Sequence, residues 1–412
     1  MHPGPTGRAA GGPFAALRHR DFRLFYLGQI VSLIGTWMQS TAQGWLVLEL
    51  TDSELMLGVV TAVGAVPVLL FTLYAGVVAD RADKRNIILA AQGASMVLAL
   101  ALAVLTDTGL VTVAWILLLV FLLGTANAFE IPTRQSFFVD LVGKDDLTNA
   151  IALNSSAFNL TRVIGPAAAG VLIGTVGIAA AFYINALSYL AVIVGLLMIR
   201  TRRAPPERRD DVSTLEKLRE GFAFIAADRR ARTLVMLVAA SSILALPYVM
   251  LLPVFARDIL AVGAEGLGLM LSVSGAGALA GGITLAATAR RVRRGPLLLS
   301  AAALFAVMVG GFTLSRAFPL SLALLAGAGF CLIPFTASVN ALLQSIVPDA
   351  LRGRVMSVYV FMFLGMTPIG SLQAGILARA LGAPVALALS AGVMLGVVGL
   401  VAWRVPELRR LR

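Results

Sequence analysis

The chain has 412 residues, of which 59% are apolar and 13% charged, with a net charge of +12 and one cysteine. Soluble domains average about 45–50% apolar and about 25% charged residues, so this composition excludes an ordinary soluble globular protein. A single Cys331, inside an apolar run, excludes an intrachain disulfide and a cysteine-built zinc cluster.

A membrane helix needs about 20 mostly apolar residues, and the chain contains twelve such runs, at 24–50, 55–79, 86–106, 110–131, 147–176, 178–200, 231–256, 264–289, 296–315, 318–345, 352–378 and 382–403. The runs are continuously apolar, which rules out the alternating strands of a closed barrel. The sequence therefore predicts an all-α membrane protein of twelve transmembrane helices. Residues 1–20 lack the ordered parts of a signal peptide, so the first run is expected to serve as the insertion signal.

In the first run Gln29, Ser32, Thr36, Gln39, Ser40 and Gln43 recur at helical spacing and form one polar stripe. Facing lipid it is costly; facing a wet cavity it offers neutral donors and acceptors, with Trp37 and Trp45 as stacking surfaces. Bonding to neighbouring helices is the other role open to it, and the cavity is favoured. Positions 209 residues further on are Val238, Ser241, Ala245, Tyr248, Val249 and Leu252, so polar recognition is expected mainly in the first half, with Tyr248 and apolar wall from the second.

The second run ends on Gly76-Val-Val-Ala-Asp80-Arg81-Ala-Asp83-Lys84-Arg85. Gly76 admits a close neighbouring helix, and Asp80 can accept bonds from a helix amino terminus or a cation. The cluster acts either as a latch between conformations or as a topology anchor. Its cations recur at a constant interval: Arg81, Lys84 and Arg85 are each followed after 209 residues by Arg290, Arg293 and Arg294, and Gln135, Ser136 and Asp140 by Gln344, Ser345 and Asp349. Such an echo predicts two related six-helix bundles, 1–200 and 231–412.

Glu130, near the end of the fourth run, is the one carboxylate placed within a span away from an outer rim, which makes it the proton-carrier candidate. Pairing with Arg134, one turn on if the helix survives Pro132, is its structural alternative. Arg162 lies near the middle of the fifth run, where a lone cation costs at least about 2.5–3.5 kcal/mol, so it needs a partner or water. Residues 201–230 read as a linker ending in an amphipathic helix, with Leu215, Leu218, Phe222 and Ile225 at helical spacing on the inner membrane surface. Gly275, Gly277, Gly281 and Gly282 permit close packing, while Pro67, Pro166, Pro247, Pro253, Pro334 and Pro368 can bend or open their helices.

With a cytoplasmic amino terminus, 29 Lys and Arg fall on inner connections and three, Arg257, Arg316 and Arg379, on outer ones. The positive-inside rule then places both ends in the cytoplasm. Basic charge spread over short loops beside anionic lipid argues against nucleic acid as a partner.

The loop after the second helix, twelve spans and a basic central connection together resemble the major facilitator superfamily. Its pattern has Gly where Asp83 stands, which implies a looser turn and a carboxylate competing for the same cations; Leu285 and Ala289 replace Gly76 and Asp80 in the second half, so gating is expected mainly in the first. Pro132-Thr-Arg134-Gln135-Ser136, Leu147-Thr-Asn149-Ala150, Asn159-Leu-Thr-Arg162-Val-Ile-Gly165-Pro166 and Leu351-Arg352-Gly353-Arg354-Val355 resemble the branch that holds the enterobactin exporter and related drug-efflux carriers. That likeness includes Asn159 among candidate cavity residues. Gly165-Pro166-x-x-x-Gly170 resembles part of the antiporter motif, with Thr161 and Ala152 in place of its upstream glycines.

These features imply a monomeric secondary active exporter of the bacterial inner membrane, surrounded by lipid and exchanging a small amphipathic siderophore- or drug-like molecule for protons. No cofactor is expected, since no Gly-rich Lys-Ser/Thr phosphate loop exists, and no His-Glu-x-x-His or other metal cluster suggests an enzyme. A lipid or lysolipid carrier and a non-transporting receptor are the competing expectations.

Overall fold

A computed structural model of the chain describes residue 12 and residues 14–199, 214–288 and 291–410. Among these residues every regular element is helical. The first half contains α1 (Arg20–Thr51), α2 (Glu54–Arg81), α3 (Lys84–Asp107), α4 (Val113–Val142), α5 (Leu147–Thr175) and α6 (Ile178–Met198). A short α7 (Thr214–Ala227) precedes the second half: α8 (Arg229–Leu244), α9 (Tyr248–Val254), α10 (Gly263–Thr288), α11 (Arg294–Leu314), α12 (Phe318–Ile346), α13 (Arg352–Gly365), α14 (Thr367–Leu381) and α15 (Ala383–Arg404).

Among the described residues, eleven segments are long and apolar enough to cross a membrane. The 32-residue α1 is long enough too, but its polar stripe dilutes its hydropathy. Two predicted spans are broken rather than continuous. The run predicted at 231–256 turns at 245–247, ahead of α9, and ends in a π-helical segment at Phe255–Ile259; Pro247 and Pro253 withhold the amides that a straight helix would use. The run predicted at 352–378 breaks at Met366, two residues before Pro368.

Pro132 has the opposite outcome. Helix α4 continues to Val142, beyond the predicted end at 131, although Pro132 sits inside it. Thr133 Oγ1 donates to the Phe129 carbonyl at 2.6 Å, satisfying an acceptor close to the missing amide.

In the first half α6 packs on α1 and α3, and α4 on α2 and α3; in the second, α12 packs on α10 and α11, and α11 on α15. Among the described residues, the two main crossings between the halves are α5 with α10 and α2 with α14. The 209-residue offset carries α2 onto α10 and α5 onto the α13–α14 span, so each crossing is the counterpart of the other, as two related halves require.

Glycines set the closeness of these crossings. A Cβ at Gly268 would lie 2.5 Å from the Pro166 carbonyl oxygen, and one at Gly170 would lie 2.8 Å from that of Ala264. At the other crossing a Cβ on Gly58 would stand 2.5 Å from the Ser371 carbonyl oxygen. These approaches lie toward one end of the bundle, opposite the terminus-bearing end, where α1 begins and α15 finishes. Gly277 and Gly281 meet the Ala326 and Phe330 carbonyls of α12, as their spacing suggested.

Helix α7, expected as an amphipathic helix on the inner membrane surface, packs against α13. Ile225 is buried, Phe222 meets Phe361 edge-on at 6.4 Å, and Glu220 pairs with Arg354 of α13. The side chains of Leu215 and Leu218, and residues 200–213, lie outside the described residues.

Candidate functional site

A cavity of about 360 Å³ lies between the halves. The first half contributes Trp37, Ser40, Gln43, Thr61 and Pro166 among others, and the second contributes Ser242, Pro247, Met250, Thr367 and Ser371. Among the described residues, none that lines it is charged. One face of α5 shows how the space is closed at one end: Thr148, Ala152 and Ser155 are exposed, whereas Pro166 and Gly170 on the same face are buried. The halves therefore part toward the terminus-bearing end and meet at the opposite end.

Across that closed end, Arg257 Nη1 donates to the Leu48 carbonyl at 3.0 Å and the same guanidinium pairs with Asp52. Arg257 stands 209 residues after Leu48, so the bond joins equivalent positions of the two halves.

The predicted stripe divides into two sets. Trp37, Ser40 and Gln43 line the cavity. Gln29, Ser32 and Gln39 are buried. Gln39 Oε1 accepts from Asn185 Nδ2 of α6 at 2.6 Å, and a Cβ at Gly35 would lie within 2.5 Å of Asn185 and Ser188 side-chain oxygens, so α6 covers this side. Thr36 is exposed, with its hydroxyl donating to the Ser32 carbonyl at 2.9 Å. Trp45 is no stacking surface: it is buried and donates to Glu49 at 2.6 Å. Asn159 Nδ2 donates within α5 to the Ser155 carbonyl at 2.8 Å and is absent from the cavity lining.

The second half supplies more polarity, and less of Tyr248, than its sequence suggested. Tyr248 is fully buried, bonded to Ser274 Oγ at 2.8 Å and packed edge-on against Phe305, because α10 and α11 close over it. Tyr248→Phe is expected to cost about 0.5–1.5 kcal/mol of stability, visible as a lower melting temperature, while leaving cargo binding unchanged. Ser242, Thr367 and Ser371 are hydroxyls that the sequence reading missed.

Glu130 and Arg162 are not brought together. Glu130 Oε1 lies 2.9 Å from Arg134 Nε, with the two side chains 9% and 13% exposed. Arg134 Nε is not aligned for a hydrogen bond, so this is a contact of charges. Gln92 Nε2 reaches Glu130 at 3.5 Å and Arg134 Nη1 reaches Asn154 at 3.4 Å, extending the polar cluster across α3, α4 and α5. Arg162 instead holds its guanidinium 5.9 Å from the centre of the Trp37 ring.

At the terminus-bearing end the signature loop is tied to its own half. Lys84 Nζ donates to Asp140 at 2.8 Å and to the Ser136 carbonyl at 3.1 Å. Arg85 donates to the Leu196 and Leu197 carbonyls at 2.8 and 3.0 Å, where a cation complements the end of α6. Asp83 caps α3 by accepting from the Arg85 and Asn86 amides, so its carboxylate is engaged by backbone rather than competing for cations. Asp83→Ala is expected to cost about 1 kcal/mol, read as a lower melting temperature.

Gly76 does not serve close packing here, since a Cβ would meet nothing within 4 Å among the described residues. The side chain of Asp80 and the whole of Arg290 lie outside the described residues. Arg293 is the N-cap residue of α11 and Arg294 its first. The echo of Lys84 and Asp140 is not repeated as a pair: Asp349 binds Arg352 three residues on.

Residues 11–411 match the family described as transmembrane secretion effector. The chain belongs to the major facilitator superfamily. It is a multi-pass membrane transporter of small molecules, not an enzyme. This facilitator is 28% identical over 386 residues to the multidrug efflux pump Tap of Mycolicibacterium fortuitum, covering 92% of this chain and 93% of that one. It is 26% identical over 402 residues to the enterobactin exporter EntS of Escherichia coli, covering 96% and 94%, and 25% identical over 362 residues to the staphyloferrin A transporter of Staphylococcus aureus, covering 87% and 90%. Among solved structures, a bacterial homologue of the lysosomal transporter Spinster, inward-facing and unoccupied, superposes with a TM-score of 0.72 at 14% identity over 95% of this chain and 96% of that one. That likeness concerns the fold.

Proposed function

We propose that this facilitator is a secondary active exporter of the bacterial inner membrane. It carries a small amphipathic molecule, siderophore- or drug-like, outward in exchange for protons. The observation that supports this most is the cavity of about 360 Å³ lined by both halves, with an approach from one end and glycine-tight crossings at the other. A site shared by two rigid halves is reached alternately from each side when the halves rock about it. Basic loops put the terminus-bearing end in the cytoplasm, so the conformation faces inward, ready to load.

Glu130 is the residue proposed to carry the proton. It is buried, within reach of an arginine and a glutamine, and two protonation states of such a carboxylate hold Arg134 differently. The loop from Asp80 to Arg85, with Arg290, Arg293 and Arg294, is proposed to gate the cytoplasmic end, with the first half holding the stronger contacts. Trp37, Ser40, Gln43, Ser242, Thr367 and Ser371 are proposed to bind cargo, and the carrier works as a monomer in lipid.

Purified protein in proteoliposomes, offered a panel of siderophores, drugs and lysolipids, is expected to concentrate at least one siderophore or drug when a proton gradient is imposed and not when it is collapsed. Movement of lysolipids alone, or of nothing in the panel, contradicts the proposal.

A further inference from the structure

We infer that Arg162 is the cargo-recognising cation of the central cavity, and that the molecule carried is an amphipathic acid whose carboxylate, sulfonate or phosphate it binds. The inference rests on the cavity being the transport site.

Arg162 lies on α5 one turn from Pro166, toward the open end, and its guanidinium lies over Trp37; Pro166 and Trp37 both line the cavity. Its counterpart 209 residues on, Ser371, lines the cavity, whereas Arg162 stands beside the lining, behind Trp37 and one turn from Pro166. The backbone agrees: a Cβ at Gly275 of α10 would lie 3.1 Å from the Arg162 carbonyl oxygen, at the level where the glycine-tight approaches of α5 and α10 give way to the exposed face of Ser155 and Ala152. Arg162 thus stands where cargo entering from the open end first reaches the closed part.

No carboxylate among the described residues lies within ion-pair distance of it. Glu130, the only buried carboxylate among the described residues, is held by Arg134. With uncharged lining residues, one guanidinium sets the sign of the field inside, and that sign attracts anions.

Stacking on an indole leaves the five N–H donors around the guanidinium rim available for a forked bond to an acid. In this conformation Arg162 is half-buried, on the open side of the tight α5–α10 approach. Closing that gap removes the water and leaves a cation near the bilayer middle, which is costly unless an opposite charge accompanies it. An anionic cargo supplies that charge. Cargo charge therefore governs closure as well as affinity, and a neutral analogue of the same shape binds more weakly and closes the carrier poorly.

The test uses two probes of matched shape, dansyl-glycine as the anion and dansyl-glycinamide as its neutral analogue. Binding is followed by energy transfer from tryptophan in nanodiscs and movement is followed separately in proteoliposomes. The wild type is expected to bind the anion at least tenfold tighter than the amide. Arg162→Gln should abolish that preference by weakening the anion alone, and Arg162→Lys should restore part of it without changing the melting temperature. Equal affinity for the two probes in the wild type overturns the inference, as does a parallel loss of both in Arg162→Gln. Arg162-dependent binding of the anion without movement contradicts export and supports the inference; movement of both probes regardless of residue 162 supports export and overturns the inference.

Discussion

Gly268→Val is expected to open the end of the transporter that is closed in this conformation. A Cβ there would lie 2.5 Å from the Pro166 carbonyl oxygen, 3.0 Å from the Gly170 Cα and 3.1 Å from its amide nitrogen. All three are backbone atoms, so no side-chain rotation relieves the contact and the helices must separate. Overpacking of this kind costs about 1–3 kcal/mol. That cost applies only while α5 and α10 are in contact, so it shifts the balance of the two access states by about 5- to 150-fold. A cysteine at Gln43 in a Cys331→Ser background should then react at least fivefold faster with an impermeant maleimide added outside intact cells. Export should fall by at least tenfold, because the carrier no longer closes behind its cargo. Gly93→Val, where a Cβ meets nothing within 4 Å among the described residues, serves as the control and should change neither. Unchanged labelling in Gly268→Val rules out the seal assigned to this crossing.

Glu130→Gln is expected to remove both proton-driven accumulation and much of the stability of the first half. The pair with Arg134 is 9% and 13% exposed, and stripping one partner from a buried pair leaves the other charge unmatched at a cost of about 3–5 kcal/mol. The double variant Glu130→Gln, Arg134→Gln removes both charges and should recover most of the melting temperature. It should not recover accumulation against a gradient, although downhill movement of cargo persists. Gradient-driven accumulation by the double variant moves the proton site away from Glu130. The comparison separates the two roles of the residue, because a purely structural Glu130 is rescued in both readouts.

Much of the scaffold was legible because lipid imposes one rule on every span. Apolar length locates the helices; of the six prolines able to bend or open them, Pro247 and Pro368 lie at the two breaks, whereas α2, α5 and α12 run on through Pro67, Pro166 and Pro334. Pro132 misled in the other direction: the sequence contains Thr133 beside it, but only the folded helix shows that hydroxyl reaching the Phe129 carbonyl. The spacing of the glycines on α10 was informative for a similar reason, since backbone contact requires a missing side chain whatever the partner.

The site was less legible than the scaffold. A helical stripe gives a direction but not a neighbour, so Gln39 and Ser40 looked equivalent until α6 covered one and left the other on the cavity. The 209-residue offset from Gln39 points Tyr248 at the cavity, yet α10 and α11 bury it. Ser242 adjoins Ser241, and Thr367 and Ser371 lie one helical turn apart, but two hydroxyls in an apolar run make too short a pattern to mark a stripe. Glu130 and Arg162 shared the distinction of charge at depth, but only the turn of α4 beyond Pro132 brings Arg134 to the first and leaves the second beside Trp37.

Rocking of the two halves about one cavity, as proposed, opens one end as the other closes. Spin labels at Val176 and Leu314, exposed at the closed end on different halves, and at Lys144 and Val292, exposed at the open end, report the two gaps in a Cys331→Ser background. Pulsed dipolar spectroscopy in nanodiscs should find opposed changes: conditions that lengthen the Val176–Leu314 distance shorten the Lys144–Val292 distance, and Gly268→Val favours that state. Distances that lengthen together, or a single unmoving distance for each pair in every condition of pH and cargo, contradict alternating access by this protein.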